Sequence, residues 1–165
     1  MRKIATLVVL ALSMVVLAAP LAAAHETSFT CVTHSNLGPT TADAQMCVRV
    51  NGTVFQYHEG LTEVTLLNPN GPPPGVETNV ISQSIEIWLD DNCGSHTDKE
   101  LLQTVYPSSY DFSNGPREQS TAVFSAGSGI EQWQSKTTWK YYVTYSGGNW
   151  TSATQSLTSN WTVCD

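Results

Sequence analysis

The sequence has 165 residues, only 13% of them charged, a formal net charge of −7 and a pI near 4.9. Such an acidic surface repels phosphate backbones and anionic lipid headgroups, which excludes nucleic acids and membrane surfaces as expected partners. After residues 1–24, no stretch approaches the roughly 20 apolar residues that a membrane-spanning helix needs.

Residues 1–24 have the features of a secretory signal peptide. Arg2 and Lys3 form a basic start, residues 4–16 are almost continuously apolar, and residues 22–24 are three alanines. We therefore expect cleavage after the third alanine. Residues 25–165 then form one secreted, soluble domain with five basic and 14 acidic residues, a net charge of −9.

Four cysteines follow the predicted cleavage point, and none belongs to a C-x-x-C pair. They are Cys31, Cys47, Cys93 and Cys164. An even number in an exported chain predicts two disulfides rather than a zinc or redox site. We favour Cys31–Cys47, which would join neighbouring strands, and Cys93–Cys164, which would attach the last strand to the middle of the chain. The pairing Cys31–Cys164 with Cys47–Cys93 stays open.

Alternating apolar and polar residues predict strands in the first half of the chain. The candidates are residues 27–34, 45–50, 53–58 and 61–67. Asn51-Gly52 separates two of them, and this dipeptide favours a two-residue hairpin turn. The proline-rich residues 68–75 predict a surface loop, because proline removes the backbone donors that a strand or helix uses.

In the second half, residues 80–89 and 120–125 are predicted strands. Ile81, Ile85, Ile87 and Leu89 are expected to share one face of the first of these, because side chains alternate along a strand. Residues 99–106 fit either a helical turn or a strand. The sequence does not decide between the two.

Residues 137–145 have the strictest alternation in the chain. One face carries Trp139, Tyr141, Val143 and Tyr145, and the other carries threonine, lysine and one tyrosine. The small and polar residues 146–149 predict a turn, and residues 160–164 a return strand. We expect this aromatic hairpin to form the centre of the core.

Eight or nine short strands without a convincing helix predict an all-β domain. The predicted architecture is a single antiparallel β-sandwich, of immunoglobulin-like or jelly-roll type, with two disulfides.

Several aromatic side chains are expected outside the apolar rows or beside turns. They are Trp88, Trp133, Tyr142 and Trp150. Rings in such places stack on sugars or anchor a protein partner, although they also complete cores. No G-x-S-x-G elbow or other nucleophile motif occurs. The sequence thus predicts a secreted, non-enzymatic binding or surface protein whose partner is an extracellular glycan, a protein or a second copy of itself.

The alternative prediction is a copper protein. Cleavage after residue 24 makes His25 the amino terminus, so that its amino and ring nitrogens could bind Cu(II), with His34, His58 or His96 as a second imidazole. In this feature the chain resembles the lytic polysaccharide monooxygenases and the periplasmic copper carriers of the CopC type. The resemblance covers one residue and the fold class.

Three asparagines begin an Asn-x-Ser/Thr sequence, the acceptor for N-linked glycans in some secretory routes. They are Asn51, Asn149 and Asn160. Asn149 is expected to be the most accessible, because Asn51 belongs to a predicted tight turn and Asn160 to a predicted buried strand.

Overall fold

The computed structural model describes residues 27–52, 57–68, 73–91, 95–108, 110–111, 117–125 and 131–163. Over these ranges the regular structure consists of ten β-strands, with no helix. The all-β prediction is confirmed. None of the described segments forms a helix of the length and hydropathy needed to cross a membrane.

The strands form two antiparallel sheets. In chain order they are β1 (Thr30–His34), β2 (Ala44–Gly52), β3 (Tyr57–Leu66), β4 (Glu77–Asp90), β5 (Glu100–Val105), β6 (Tyr110–Asp111), β7 (Arg117–Ser125), β8 (Gln132–Tyr145), β9 (Gly148–Thr151) and β10 (Gln155–Thr158). The first sheet has the order β1-β2-β3-β7. The second has the order β10-β8-β4-β5, with β6 paired to β4 and β9 paired to β8.

Side chains from both sheets pack together in two apolar clusters. The larger cluster joins Met46 and Val64 of the first sheet to Val80, Trp139 and Tyr141 of the second. Along β8, buried and half-buried side chains alternate from residue 132 to residue 144. The prediction that the aromatic face of this strand lies in the core is therefore confirmed for its central residues.

A single buried hydrogen bond between two hydroxyls joins the sheets between these clusters. The Oγ1 atoms of Thr62 on β3 and Thr137 on β8 are 2.5 Å apart, and both side chains are fully buried. Because neither hydroxyl has access to solvent, each depends on the other for its hydrogen bond.

We expect Thr62→Val to lower the free energy of unfolding by about 2 kcal/mol, because it strands the buried Thr137 hydroxyl without a partner. The double variant Thr62→Val/Thr137→Val removes both polar groups and should recover most of the loss. Urea denaturation of the four proteins in this cycle measures the coupling. Equal and additive losses in the two single variants would contradict a shared hydrogen bond.

Serine and threonine hydroxyls extend the strand pairing where regular strands are interrupted. In four places a Ser or Thr forms two hydrogen bonds with one strand residue. Its N–H donates to the carbonyl of that residue, and its hydroxyl accepts from the N–H of the same residue, at 2.8–3.0 Å. The four pairs are Thr27 with Val50, Ser152 with Tyr141, Ser159 with Ser135, and Thr162 with Trp133. The last three pairs satisfy backbone groups along the edge of β8 in the segments that neither β9 nor β10 covers.

A bulge in β4 changes which of its residues face the core. Ser82 has a φ of 52°, and the pairing with β8 shifts between Ile81 and Ser84. The extra residue reverses the alternation, so that Gln83 is buried and Ile81 is only half-buried. The prediction that Ile81 shares a face with Ile85 is therefore wrong.

The hairpin of β2 and β3 is also longer than predicted. Asn51 and Gly52 are the last residues of β2 and pair with Glu59 and His58, so they do not form the turn. The Asn51 amide donates to the Glu59 carboxylate at 2.7 Å, a cross-strand contact that suits a strand position. The connecting residues 53–56 lie outside the described part of the chain.

Of the two alternatives left open for residues 99–106, the strand is observed, as β5 over Glu100–Val105. The return from β8 is made by β9 and β10, whereas the described part of the predicted strand at 160–164 has no regular strand structure.

Cys31 and Cys47 form a disulfide between directly opposed residues of β1 and β2, as the favoured pairing predicted. Cys93 and Cys164 lie outside the described residues.

Candidate ligand-binding cleft

An open cleft of about 370 Å³ lies beside the larger core cluster. Residues 33–38, at the end of β1 and in the loop that follows, form one wall. Tyr141, Trp150, Ser152 and Gln155 belong to the other wall. The volume falls within the range of about 300–1,000 Å³ that is common for small-molecule sites.

Hydrogen bonds hold the loop of the first wall in place. The N–H of Asn36 donates to the Asp43 carboxylate, and the N–H of Leu37 donates to the Ala42 carbonyl, each at 2.8 Å. Leu37 is buried in the larger core cluster. The cleft therefore has a wall anchored both by backbone hydrogen bonds and by apolar packing.

Gly38 brings this loop into contact with Trp150 on β9. It has a φ of 61°, and a Cβ atom at this position would lie 2.5 Å from Cδ2 of the Trp150 ring. The ring thus lies directly against the glycine backbone, an approach that a larger residue would prevent. The contact fixes the position of Trp150 at the cleft.

Ser152 holds the second wall onto β8. It forms the reciprocal pair with Tyr141 and also donates from its hydroxyl to the Ala153 carbonyl at 2.7 Å. Because these bonds involve the backbone of Tyr141, they fix the position of this residue on β8 beside the cleft.

Two residues that line the cleft, and one that packs against them, carry buried polar atoms without a hydrogen-bond partner among the described residues. These atoms are the Tyr141 hydroxyl, Nε2 of His34 and Nε1 of Trp139. Tyr141 is only 1% exposed, and its ring centroid is 5.5 Å from that of His34 and 6.2 Å from that of Trp139. An unpaired buried hydroxyl costs about 1–3 kcal/mol, so this arrangement needs an explanation.

Burial sets the protonation of these groups. It raises the pKa of the Tyr141 phenol well above 10, with a smaller opposing effect from the indole of Trp139, and it lowers the pKa of the His34 imidazole below 6.5. The Trp139 indole lies near enough to lower the pKa of the phenol slightly, but its Nε1 atom and the phenol oxygen do not meet the distance and angle of a hydrogen bond. At neutral pH the phenol is a proton donor and the imidazole is neutral.

Of the four aromatic residues that the sequence singled out, only Trp150 lies at the cleft. Trp133 is 2% exposed and packs against Phe124 in the smaller core cluster. Trp88 and Tyr142 are half-buried on the face of the second sheet that points away from the core. Trp88 is paired with residue 134 of β8, and Tyr142 lies on β8 itself. Eight residues of strand separate these positions by roughly 26 Å, too far for one small site.

A second polar cluster surrounds His96. Its Nδ1 atom is 2.7 Å from the buried Asp90 carboxylate, and its ring stacks on Trp161 with the centroids 4.4 Å apart. A carboxylate that orients a histidine occurs in catalytic triads, which also need a nucleophile at the other ring nitrogen. Among the described residues, no hydroxyl or thiol is in hydrogen-bond contact with that nitrogen of His96.

The copper alternative depends on the predicted amino-terminal residue. His25 lies outside the described residues. His34 ends β1 opposite Ala44, whereas Thr27 pairs with Val50 near the other end of β2, where His58 pairs with Gly52. No group of three or more potential metal ligands occurs in the described part of the chain, and the copper site stays a prediction.

The chain was also compared with known proteins. No protein-family model, curated protein or solved structure matches it.

Tyr141 and His34 were not recognised from sequence as parts of one site. Tyr141 was predicted as a core residue from its alternation, and His34 only as one of three possible copper ligands. One signal was available: a tyrosine on an inward face needs a partner for its hydroxyl, and its immediate neighbours on that face, Trp139 and Val143, offer only an indole N–H.

Proposed function

We propose that the protein is a secreted, non-enzymatic binding protein that takes a small uncharged ligand, or part of a larger one, into the cleft beside Tyr141. The secreted location rests on the predicted signal peptide and is supported by the Cys31–Cys47 disulfide. The binding role is supported by the cleft itself, whose described lining contains apolar, aromatic and neutral polar side chains.

The observation that carries this proposal is the unpaired hydroxyl of Tyr141. Phenylalanine would fill the same space without the cost of a buried polar group, so a hydroxyl retained there has a use that the fold does not supply. Its position at the wall of an open cleft makes a bound ligand the natural acceptor for its proton.

At the level of the fold, we propose that the two sheets form a β-sandwich with a second disulfide, Cys93–Cys164. The stacking of His96 on Trp161 supports this pairing, because each cysteine lies three residues along the chain from one of the stacked rings. Peptide mapping of the unreduced protein tests it, since a peptide joining Cys93 to any other cysteine would contradict the proposal.

Thermal unfolding in the presence of small molecules tests the binding proposal. Neutral saccharides and nucleosides at millimolar concentration form a suitable panel, and amino acids and dicarboxylates serve as charged comparison compounds that should not stabilise the protein. A ligand at about 100 times its Kd stabilises the folded state by about 2.7 kcal/mol and should raise Tm by several degrees.

The matched control for this screen is provided by two tryptophans. Trp150→Ala should abolish the increase in Tm, whereas Trp88→Ala should not, because Trp88 lies outside the cleft. A panel without any stabilising compound, or an increase that survives in Trp150→Ala, would contradict the proposed role of the cleft.

A further inference from the structure

We propose that the ligand of the cleft is a neutral carbohydrate, bound with one sugar ring against Trp150 and one sugar hydroxyl hydrogen-bonded to Tyr141. This inference rests on the proposed function, because it names the ligand class of the same cleft. It is argued from the charge, the hydrogen-bonding atoms and the aromatic surface of the lining residues.

The absence of charged side chains among the described residues of the cleft excludes ionic ligands. None of the described residues that line the cleft is acidic or basic, and burial keeps His34 neutral. A carboxylate, phosphate or ammonium group placed here would lose its hydration without gaining a counter-ion, at a cost of several kcal/mol. The formal net charge of −7 further disfavours anions.

The unpaired polar atoms exclude a purely apolar ligand. The Tyr141 phenol is a donor, whereas Nε2 of His34 donates or accepts according to its tautomer. An apolar molecule packed against them would leave both without a partner. A sugar hydroxyl donates and accepts at the same atom, so neighbouring hydroxyls satisfy both groups in either tautomer.

The aromatic surface favours a ring with an apolar face. Trp150 is half-buried at the cleft and fixed from the side of Gly38, so no ordering of its ring is required when a ligand binds. Aromatic side chains combine a large apolar surface with low conformational entropy, which suits stacking on the C–H face of a sugar. Asn36 and Gln155 at the two walls add amides that hydrogen-bond further hydroxyls.

Binding of fluorescently labelled oligosaccharides to the full chain tests the ligand class. The probes are neutral glucans, galactans, mannans and xylans, with uronic-acid and sulfated oligosaccharides of matched length as charged counterparts. We expect at least one neutral series to bind and its charged counterpart to bind at least tenfold more weakly. Trp150→Ala and Tyr141→Phe should each weaken binding at least tenfold, and Trp88→Ala should leave it unchanged.

Three results would overturn the carbohydrate assignment. The first is neutral glycan binding that is unchanged in Trp150→Ala and Tyr141→Phe. The second is no glycan binding while the thermal panel identifies a different class of uncharged compound that depends on Trp150, in which case the proposed function stands. The third is no binding by the glycans or by the thermal panel, which overturns the proposed function as well.

Discussion

Replacing Gly60 by alanine is expected to lower the free energy of unfolding by about 3 kcal/mol, near the upper end for an overpacked core. Gly60 lies in β3, and a Cβ atom there would be 2.4 Å from Cδ1 of Ile87 and 2.7 Å from Oγ of Ser135. Both neighbours belong to the other sheet, so the added methyl group forces the two sheets apart. Urea denaturation followed by tryptophan fluorescence measures the loss.

The matched rescue is Ile87→Val, which removes the Cδ1 atom that the new methyl group would meet. This change alone should cost about 1 kcal/mol, but the double variant Gly60→Ala/Ile87→Val should be no less stable than Gly60→Ala. Gly75→Ala is the control for backbone strain. Gly75 has a φ of 73° and no atom near its added Cβ, so we expect a loss of about 1 kcal/mol. Strictly additive losses for Gly60 and Ile87 would contradict the close approach of the sheets.

Removing the Cys31–Cys47 disulfide is expected to cost about 3 kcal/mol, because the bond closes a loop with a sequence separation of 16 residues. The double variant Cys31→Ala/Cys47→Ala avoids a free thiol, and chemical denaturation compares it with the wild type. The expected loss follows mainly from the greater conformational freedom of the unfolded chain.

Thr33→Ala is the control for this variant. It removes a 3.4 Å side-chain contact with Gln45 between the same two strands without breaking a covalent link. We expect its effect to stay below about 0.5 kcal/mol. If the double cysteine variant were as stable as Thr33→Ala, the disulfide would have no important role in holding β1 to β2.

Local sequence patterns predicted the strands whose alternation is unbroken. In β8, side chains of opposite character occupy opposite faces for many residues, so the buried position of Trp139 followed from the period alone. The Cys31–Cys47 pairing was likewise predicted, because the cysteines belong to strands that follow each other in sequence.

The same patterns failed where a single residue changes the geometry. The bulge at Ser82 depends on a positive φ at a serine, which local sequence does not signal, and it shifts every inward position on one side of it. Asn51-Gly52 is a strong turn signal, but extending the β2–β3 pairing beyond it keeps both residues in the strand.

The cleft was the least predictable feature, because its walls come from distant parts of the chain. Residues 33–38 and 141–155 meet only after the two sheets pack. Trp150 is one of the four aromatic residues that the sequence singles out, but its place at the cleft depends on the contact with Gly38 more than 100 residues earlier. No periodicity within either segment reports that contact.

The free energy of unfolding of Tyr141→Phe, measured without ligand, tests the central claim that the Tyr141 hydroxyl serves binding rather than folding. We expect a protein as stable as the wild type or up to about 1 kcal/mol more stable, because the unpaired buried hydroxyl is removed. A loss of about 1 kcal/mol or more would contradict it, since the hydroxyl would then have a partner within the fold.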